Sequence, residues 1–125
     1  MDFSQNQPIY MQIVDYFCDN ILSGKWKEHE KIPSVREIAV TVEVNPNTAI
    51  RAYTVLQDQG VIFNKRGLGY YVAEGGKQKV LEMKKEEFVS RDLPPVFRSM
   101  HLLGVTPGEI EQMYIQYSQN NEQIV

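Results

Sequence analysis

Short polar side chains and one arginine occupy the segment from residue 44 to 53, VNPNTAIRAY. The carboxamides of Asn45 and Asn47 suit paired hydrogen bonds with an adenine edge, and Thr48 can bond a phosphate or touch a thymine methyl group. Arg51, one helical turn further on, suits phosphate or a groove. These residue types favour nucleic-acid recognition if they lie at the exposed start of a helix. For Asn45, helix capping alone is the competing interpretation.

The same segment carries the signals of a helix over 46–59. Asn45 can cap it, because its side chain accepts a free backbone N–H, and Pro46 fits the first helical position, where no N–H is needed. Gly60 is predicted to end the helix. The inner face is predicted to consist of Ala49, Ala52, Tyr53 and Leu56.

Two further helices are predicted upstream. Pro8 opens an apolar periodicity that Gly24 ends, which indicates a helix over 8–23. Ser34 and Glu37 have capping-box spacing and begin a helix over 34–42. Arg36 lies in the first turn of this second helix, where the helix dipole disfavours a cation, so a phosphate or base contact is one explanation. An exposed arginine paired with a nearby acid is the other.

A basic hairpin is predicted to follow. VIFNKRGLGYYVA contains two β-prone runs around a turn. Lys65 and Arg66 suit a narrow minor groove, and Gly67 and Gly69 let the backbone approach DNA closely. Two helices joined by a short connection and followed by such a hairpin, or wing, form a winged helix-turn-helix.

The charge is distributed unevenly. The whole chain of 125 residues has a formal charge of −3, which argues against a nucleic-acid partner. The segment 31–73 contains five basic and three acidic residues, and therefore carries +2. The acids outside this patch explain the negative total.

After residue 75 the composition changes, and Gly75-Gly76 suggests a hinge. We expect a helix that Pro94-Pro95 stops or kinks, another short helix directly after the pair, and a final helix after Thr106, which has capping-box spacing to Glu109. So short a tail cannot easily enclose its own core. Its apolar side chains are predicted to form a dimer seam with a second tail; the alternatives are packing on the helix-turn-helix module and a small-molecule pocket. The predicted dimerisation residues are Phe88, Val96, Phe97, Met100, Ile110, Met113, Tyr114 and Tyr117.

Other chemistries find little support. His29 and His101 lack metal-site spacing, and Cys18 is the only cysteine, so no metal site and no internal disulfide are predicted. No catalytic constellation, cofactor motif, signal peptide or membrane-spanning stretch is recognised, and the expectation is a cytoplasmic protein that is not an enzyme. No pattern identifies a small-molecule effector.

Four segments over residues 8–73 resemble the GntR family of bacterial transcription regulators. They are PIYMQIVDYFCDNILSGKW, IPSVREIA, VNPNTAIRAYTVLQDQGVI and KRGLGYYVA. VNPNTAIRAY and the short tail are most similar to the YtrA-like subfamily. The resemblance implies a homodimer that binds an inverted-repeat DNA operator, commonly as a repressor. It matches Arg36 to the family's helix-two arginine, Asn47 and Thr48 to the polar start of its recognition helix, and Gly67 and Gly69 to its wing.

Two departures from the family pattern are informative. Pro46 and Ile50 stand where many members have arginines, so the operator half-site of those members does not carry over. Glu28 and His29 replace a common Pro-Gly turn, which predicts a left-handed backbone at His29.

The sequence therefore predicts a mainly α fold with a small β-hairpin: a winged helix-turn-helix over 1–75 and a helical dimerisation region over 76–125. The predicted DNA-binding residues are Ser34, Arg36, Asn45, Asn47, Thr48, Arg51, Lys65, Arg66, Gly67 and Gly69. A winged-helix module that binds proteins, and a regulator with an effector or enzymatic site in its tail, are the alternatives.

Overall fold

The computed structural model describes residues 7–121. Its helices are α1 (Ile9–Leu22), α2 (Val35–Thr41), α3 (Pro46–Asp58), α4 (Gly76–Glu87), α5 (Leu93–Leu103) and α6 (Pro107–Asn120). Its strands are β1 (Ile62–Lys65) and β2 (Gly69–Val72). The described residues form two compact units, which meet between Lys84 and Lys85. The mainly α fold with one hairpin is confirmed.

The first unit has its core where α1, α2 and α3 meet. Phe17 of α1 makes edge-to-face contacts with Trp26, at 4.9 Å between ring centroids, and with Tyr53 of α3, at 5.1 Å. Ala49, Ala52 and Leu56 on the same face of α3 are fully buried. The predicted inner face of this helix is therefore confirmed.

Local capping sets the ends of α2 and α3. The Ser34 hydroxyl accepts the Glu37 N–H and the Glu37 carboxylate accepts the Ser34 N–H, both at 3.1 Å, so the predicted capping box is present. Asn45 caps α3 through its side-chain oxygen, with Pro46 at the first helical position. Between the two helices Glu43 adopts a φ of +55°, a left-handed conformation that the sequence did not predict.

The hairpin β1–β2 is antiparallel, with Ile62 opposite Val72 and Lys65 opposite Gly69. The segment 29–32 runs beside β2 through an isolated antiparallel bridge between Lys31 and Tyr71, and the Ile32 N–H donates to the Tyr70 carbonyl at 2.9 Å. His29 begins this segment with a φ of +69°, which confirms its predicted left-handed backbone.

The glycine pair after the hairpin forms a packed turn, so the expectation of a hinge is wrong. Gly75 has a φ of +75°, and Gly76 begins α4 so close to β1 that an added Cβ would lie 2.8 Å from the Val61 carbonyl oxygen. Val80, one turn further, is fully buried. The start of α4 is thus fixed to the first unit.

The second unit is helical. A π-helical turn, Phe88–Asp92, separates α4 from α5 directly before the proline pair. Because neither proline has an N–H to donate, the regular hydrogen-bond ladder cannot run through this point, which agrees with the predicted interruption. Gly104 ends α5 with a φ of +71°, and the Thr106 hydroxyl caps α6 by accepting the Glu109 N–H at 3.2 Å. Of the described residues in this unit, none is buried.

Candidate DNA interface

The N-terminal tip of α3 is exposed. The Asn45 side-chain oxygen accepts the Asn47 N–H at 2.8 Å, so Asn45 does act as a cap. Asn47 takes part in that bond only through its backbone N–H, and the residue is exposed. Thr48 is half-buried. The tip therefore presents at least one carboxamide to the surroundings.

The two faces of α3 differ sharply. Positions 46, 47, 50, 51 and 54 are exposed, whereas the four inner positions pack into the core. This spacing is that of one helical face, because residues three and four apart lie side by side. The outer face of α3 is therefore a continuous surface that is free to enter a groove.

Arg51 leans toward α1. Its guanidinium carbon lies 4.1 Å from the centroid of the Tyr10 ring, a cation–π contact between α3 and the first turn of α1. A guanidinium that lies over a ring has its N–H groups in its own plane, where they can still donate to phosphate. The contact thus orients the Arg51 side chain and leaves its N–H groups able to form hydrogen bonds.

The start of α2 presents a second cation. Arg36 is exposed, and the ion pairs among the described residues do not include one from Arg36 to Glu37 or Glu43. Glu37 is engaged elsewhere: its bonds with the backbone and hydroxyl of Ser34, and then the charge of Lys31, lower the pKa of its carboxyl group. Arg36 remains available for an external anion.

The wing tip is held by a tight turn. The Leu68 N–H donates to the Lys65 carbonyl at 2.8 Å, and Gly67 has a φ of +82° that side chains disfavour. Lys65 and Arg66 are exposed, with the Lys65 ammonium 4.9 Å from the centroid of the Tyr71 ring. The cations lie beside a backbone with little side-chain bulk.

Tyr53 connects the parts of this surface. Its hydroxyl donates to the Pro33 carbonyl at 2.5 Å, just before α2, and its ring packs against Tyr70 of the wing at 4.7 Å. Burial, followed by the nearby Glu37 and Tyr70, raises the pKa of the Tyr53 phenol, so it stays a neutral donor. One buried side chain therefore sets α2 and the wing relative to α3.

Two residues of this surface were not assigned a role from sequence. Tyr10 supports Arg51, and Lys31 lies across Gly69, with its Cε 3.0 Å from where a Cβ would be. Both contacts join residues far apart in the chain. The only signal for Lys31 was its place in the basic segment 31–73, and Tyr10 had none beyond its helical position.

The second unit offers an apolar surface instead. The predicted dimerisation residues lie there, and all but the half-buried Met100 are exposed. Between α5 and α6 lies an open groove of about 300 Å³. Its lining consists of Pro95, Val96, Ser99, Met100, Leu103, Val105 and Ile110.

Comparison with known proteins identifies the family of this chain. The model of the gntR family of bacterial regulatory proteins matches residues 9–72, which run from α1 to the end of the wing. This chain belongs to the GntR family. Members are DNA-binding transcriptional regulators, so the protein is a regulator and not an enzyme.

Full-length relatives identify the subfamily. The GntR chain is 34% identical over 114 residues to the transcriptional repressor YtrA of Bacillus subtilis, covering 91% of this chain and 85% of YtrA. A GntR-family regulator of Bacteroides thetaiotaomicron has a solved structure with 45% identity and a TM-score of 0.79, covering 90% of this chain and 98% of that one. The chain is therefore a YtrA-like member, with a tail that these relatives share.

A further solved relative was determined in complex with an operator. The DNA-binding domain of AraR in complex with an operator is 29% identical to this chain, with a TM-score of 0.53, and the match covers 58% of this chain and 86% of that domain.

Within residues 7–121, no group of three or more potential metal-binding side chains occurs. No helix in that range has the length and apolarity to cross a membrane.

Proposed function

We propose that this GntR protein is a homodimeric repressor, acting in the cytoplasm, that binds an inverted-repeat operator with α3 in the major groove and the wing beside it. The observation that carries the proposal is the outer face of α3, which is exposed and begins with a polar tip. A helix whose inner face is fully buried holds that tip rigidly. Rigid placement is what base recognition requires.

The proposed roles follow from geometry. Arg36, Arg51, Lys65 and Arg66 would bind phosphate or the minor groove, because they are exposed and positively charged. Asn47 would read a base, with Thr48 and the capping residues Ser34 and Asn45 close to the backbone. Gly67 and Gly69 would allow the wing to approach DNA. Lys31 extends the set, because it lies against Gly69.

Dimerisation would use the second unit. Because this unit buries none of its described side chains, its apolar surface is unstable in water unless another surface covers it. A second copy provides an identical surface and a two-fold axis, which an inverted repeat matches. Within the predicted dimerisation region 76–125 we assign the dimer contacts to residues 85–121, because the start of α4 packs on the first unit, and residues 1–75 would bind DNA.

Genomic selection tests the proposal: purified protein is mixed with fragmented DNA and the bound fragments are sequenced. We expect inverted repeats whose half-sites lie about one helical turn, roughly 34 Å, apart. Protein carrying Arg36→Ala and Asn47→Ala serves as the control, which should lose the enrichment. Fragments without a repeated half-site would contradict the dimeric arrangement, and absence of any enrichment would contradict operator binding.

A further inference from the structure

We propose that Ile50 is a specificity-determining residue that reads the C5-methyl group of a thymine, so that the half-site has an A·T pair opposite the second turn of α3. This inference rests on the proposed function and deepens it. It assigns recognition of thymine to an apolar side chain, whereas the other residues proposed to contact DNA on α3 are polar or charged.

The position of Ile50 is the first observation. Its side chain is 49% exposed and lies on the outer face of α3, between the exposed Asn47 and Arg51. Asn47 is three residues earlier and is therefore a direct neighbour on the helix surface. In the major groove only thymine offers an apolar group, its methyl, and the carboxamide partner of choice is adenine. The two neighbouring side chains thus suit the two bases of A·T pairs.

The placement of Arg51 is the second, independent observation. Guanine is read most often by arginine or lysine, yet positions 45 to 50 contain no cation. Arg51 is the first cation on α3, and its guanidinium lies over the Tyr10 ring at the side of the helix that faces α1. That position directs it to the phosphate backbone at the edge of the groove. The centre of the groove is left to Asn47 and Ile50.

Deleting single methyl groups from the DNA tests this inference. In a duplex obtained by the genomic selection, each thymine of one half-site is replaced in turn by deoxyuridine, which pairs identically but lacks the methyl group. We expect one position at which the replacement weakens binding of the unmodified protein about fourfold, the effect of burying one methyl group. Ile50→Ala protein should bind the thymine and deoxyuridine duplexes equally at that position.

A matched variant separates this contact from general loss of apolar surface. Leu81 on α4 is 45% exposed, so Leu81→Ala removes a side chain of similar size and exposure outside the recognition surface, and should respond to deoxyuridine as the unmodified protein does. In a new selection, Ile50→Arg should enrich guanine at the position that Ile50 reads, because arginine pairs with the O6 and N7 atoms of guanine.

The outcomes distinguish the inference from the proposed function. Deoxyuridine responses that are absent, or that are the same in unmodified and Ile50→Ala protein, overturn the methyl contact but leave operator binding intact. A selection that enriches no DNA overturns both. Tight binding with a fourfold response confined to protein that retains Ile50 supports both.

Discussion

The two units of this chain differ in how much of their apolar surface they bury. All seventeen buried hydrophobic side chains among the described residues lie in the first unit. The described part of the second unit has no buried side chain, and it contains eleven of the sixteen exposed large hydrophobic side chains. The first unit can therefore fold around its own core, while the second is complete only when something covers it.

The difference shows how a small regulator divides its tasks. A preformed core holds the recognition helix in a fixed position, which reduces the conformational entropy lost on binding DNA. In the proposed dimer, a tail too small for its own core would gain stability from its partner, so folding and pairing would be linked. The same types of side chain thus form a buried core in the first unit and an exposed apolar surface in the second.

Removing matched phenylalanines gives the largest contrast. Phe17 is fully buried in the first unit and Phe97 is 56% exposed in the second. Phe17→Ala should lower the free energy of unfolding of the first unit by about 3 to 5 kcal/mol, and Phe97→Ala should lower that of the first unit by less than about 1 kcal/mol. Urea unfolding followed by fluorescence of Trp26, the only tryptophan, reports this directly, because its ring contacts Phe17. Equal losses would remove the distinction between the units.

Truncating Tyr114 should affect pairing alone. This side chain is 67% exposed in the second unit, and Tyr114→Ala should weaken dimerisation by about 2 kcal/mol, roughly 30-fold in the dissociation constant. Sedimentation equilibrium measures the change. Leu68→Ala, which removes a side chain that is 57% exposed on the wing, is the control and should dimerise normally. Identical behaviour of the two variants would show that α6 is not in the dimer seam.

Removing Arg36 should weaken DNA binding without altering the dimer. We expect Arg36→Ala to cost about 1 to 3 kcal/mol in operator affinity. If a dimer neutralises about six phosphates, the log–log salt slope should be near −5, and loss of one contact per protomer should change it to about −3.6. Lys77→Ala, which removes an exposed cation from the start of α4, should leave the slope unchanged. A slope near zero in the unmodified protein would contradict phosphate binding.

Relaxing one backbone position should stabilise the first unit. Glu43 has a φ of +55° in the turn before α3, where glycine meets no steric penalty. Glu43→Gly should therefore raise the free energy of unfolding by about 1 kcal/mol. Glu43→Ala removes the same charge but keeps the Cβ, so it should give no gain. A gain of equal size from both variants would point to charge and not to backbone strain.

The capping box should give the smallest effect, visible as a pH dependence. The pKa of Glu37 is lower in the folded chain than in the unfolded chain, so its carboxylate stabilises the fold above its unfolded pKa, and this contribution is lost as the pH falls through the folded pKa. Unmodified protein should exceed Glu37→Gln in stability at neutral pH, and the difference should shrink below about pH 4.3. Thermal unfolding across this range measures it. A difference that persists at the lowest pH would mean that the charge is not its source.

Sequence alone was sufficient where the determinants are local. The capping box at Ser34, the Asn45-Pro46 start of α3 and the turn at Gly67 are each fixed by residues within a few positions. His29 could also be anticipated, because a departure from the family pattern identified a position that glycine usually fills.

Features that depend on distant residues have no local sequence signal. They include the Tyr10 contact with Arg51, the bridge between Lys31 and Tyr71, and the packing of Gly76 against Val61. A glycine pair by itself therefore indicates a hinge, although Gly76 is in fact needed for close packing. The extent of exposed apolar surface in the second unit also required the structure.

A hydroxyl-radical footprint of the unmodified protein on a selected operator tests the central claim most directly. Two α3 tips held by paired tails predict two protected stretches on one duplex, about one helical turn or 34 Å apart and related by a two-fold axis. A single protected stretch, with the same extent at every protein concentration, would contradict that arrangement.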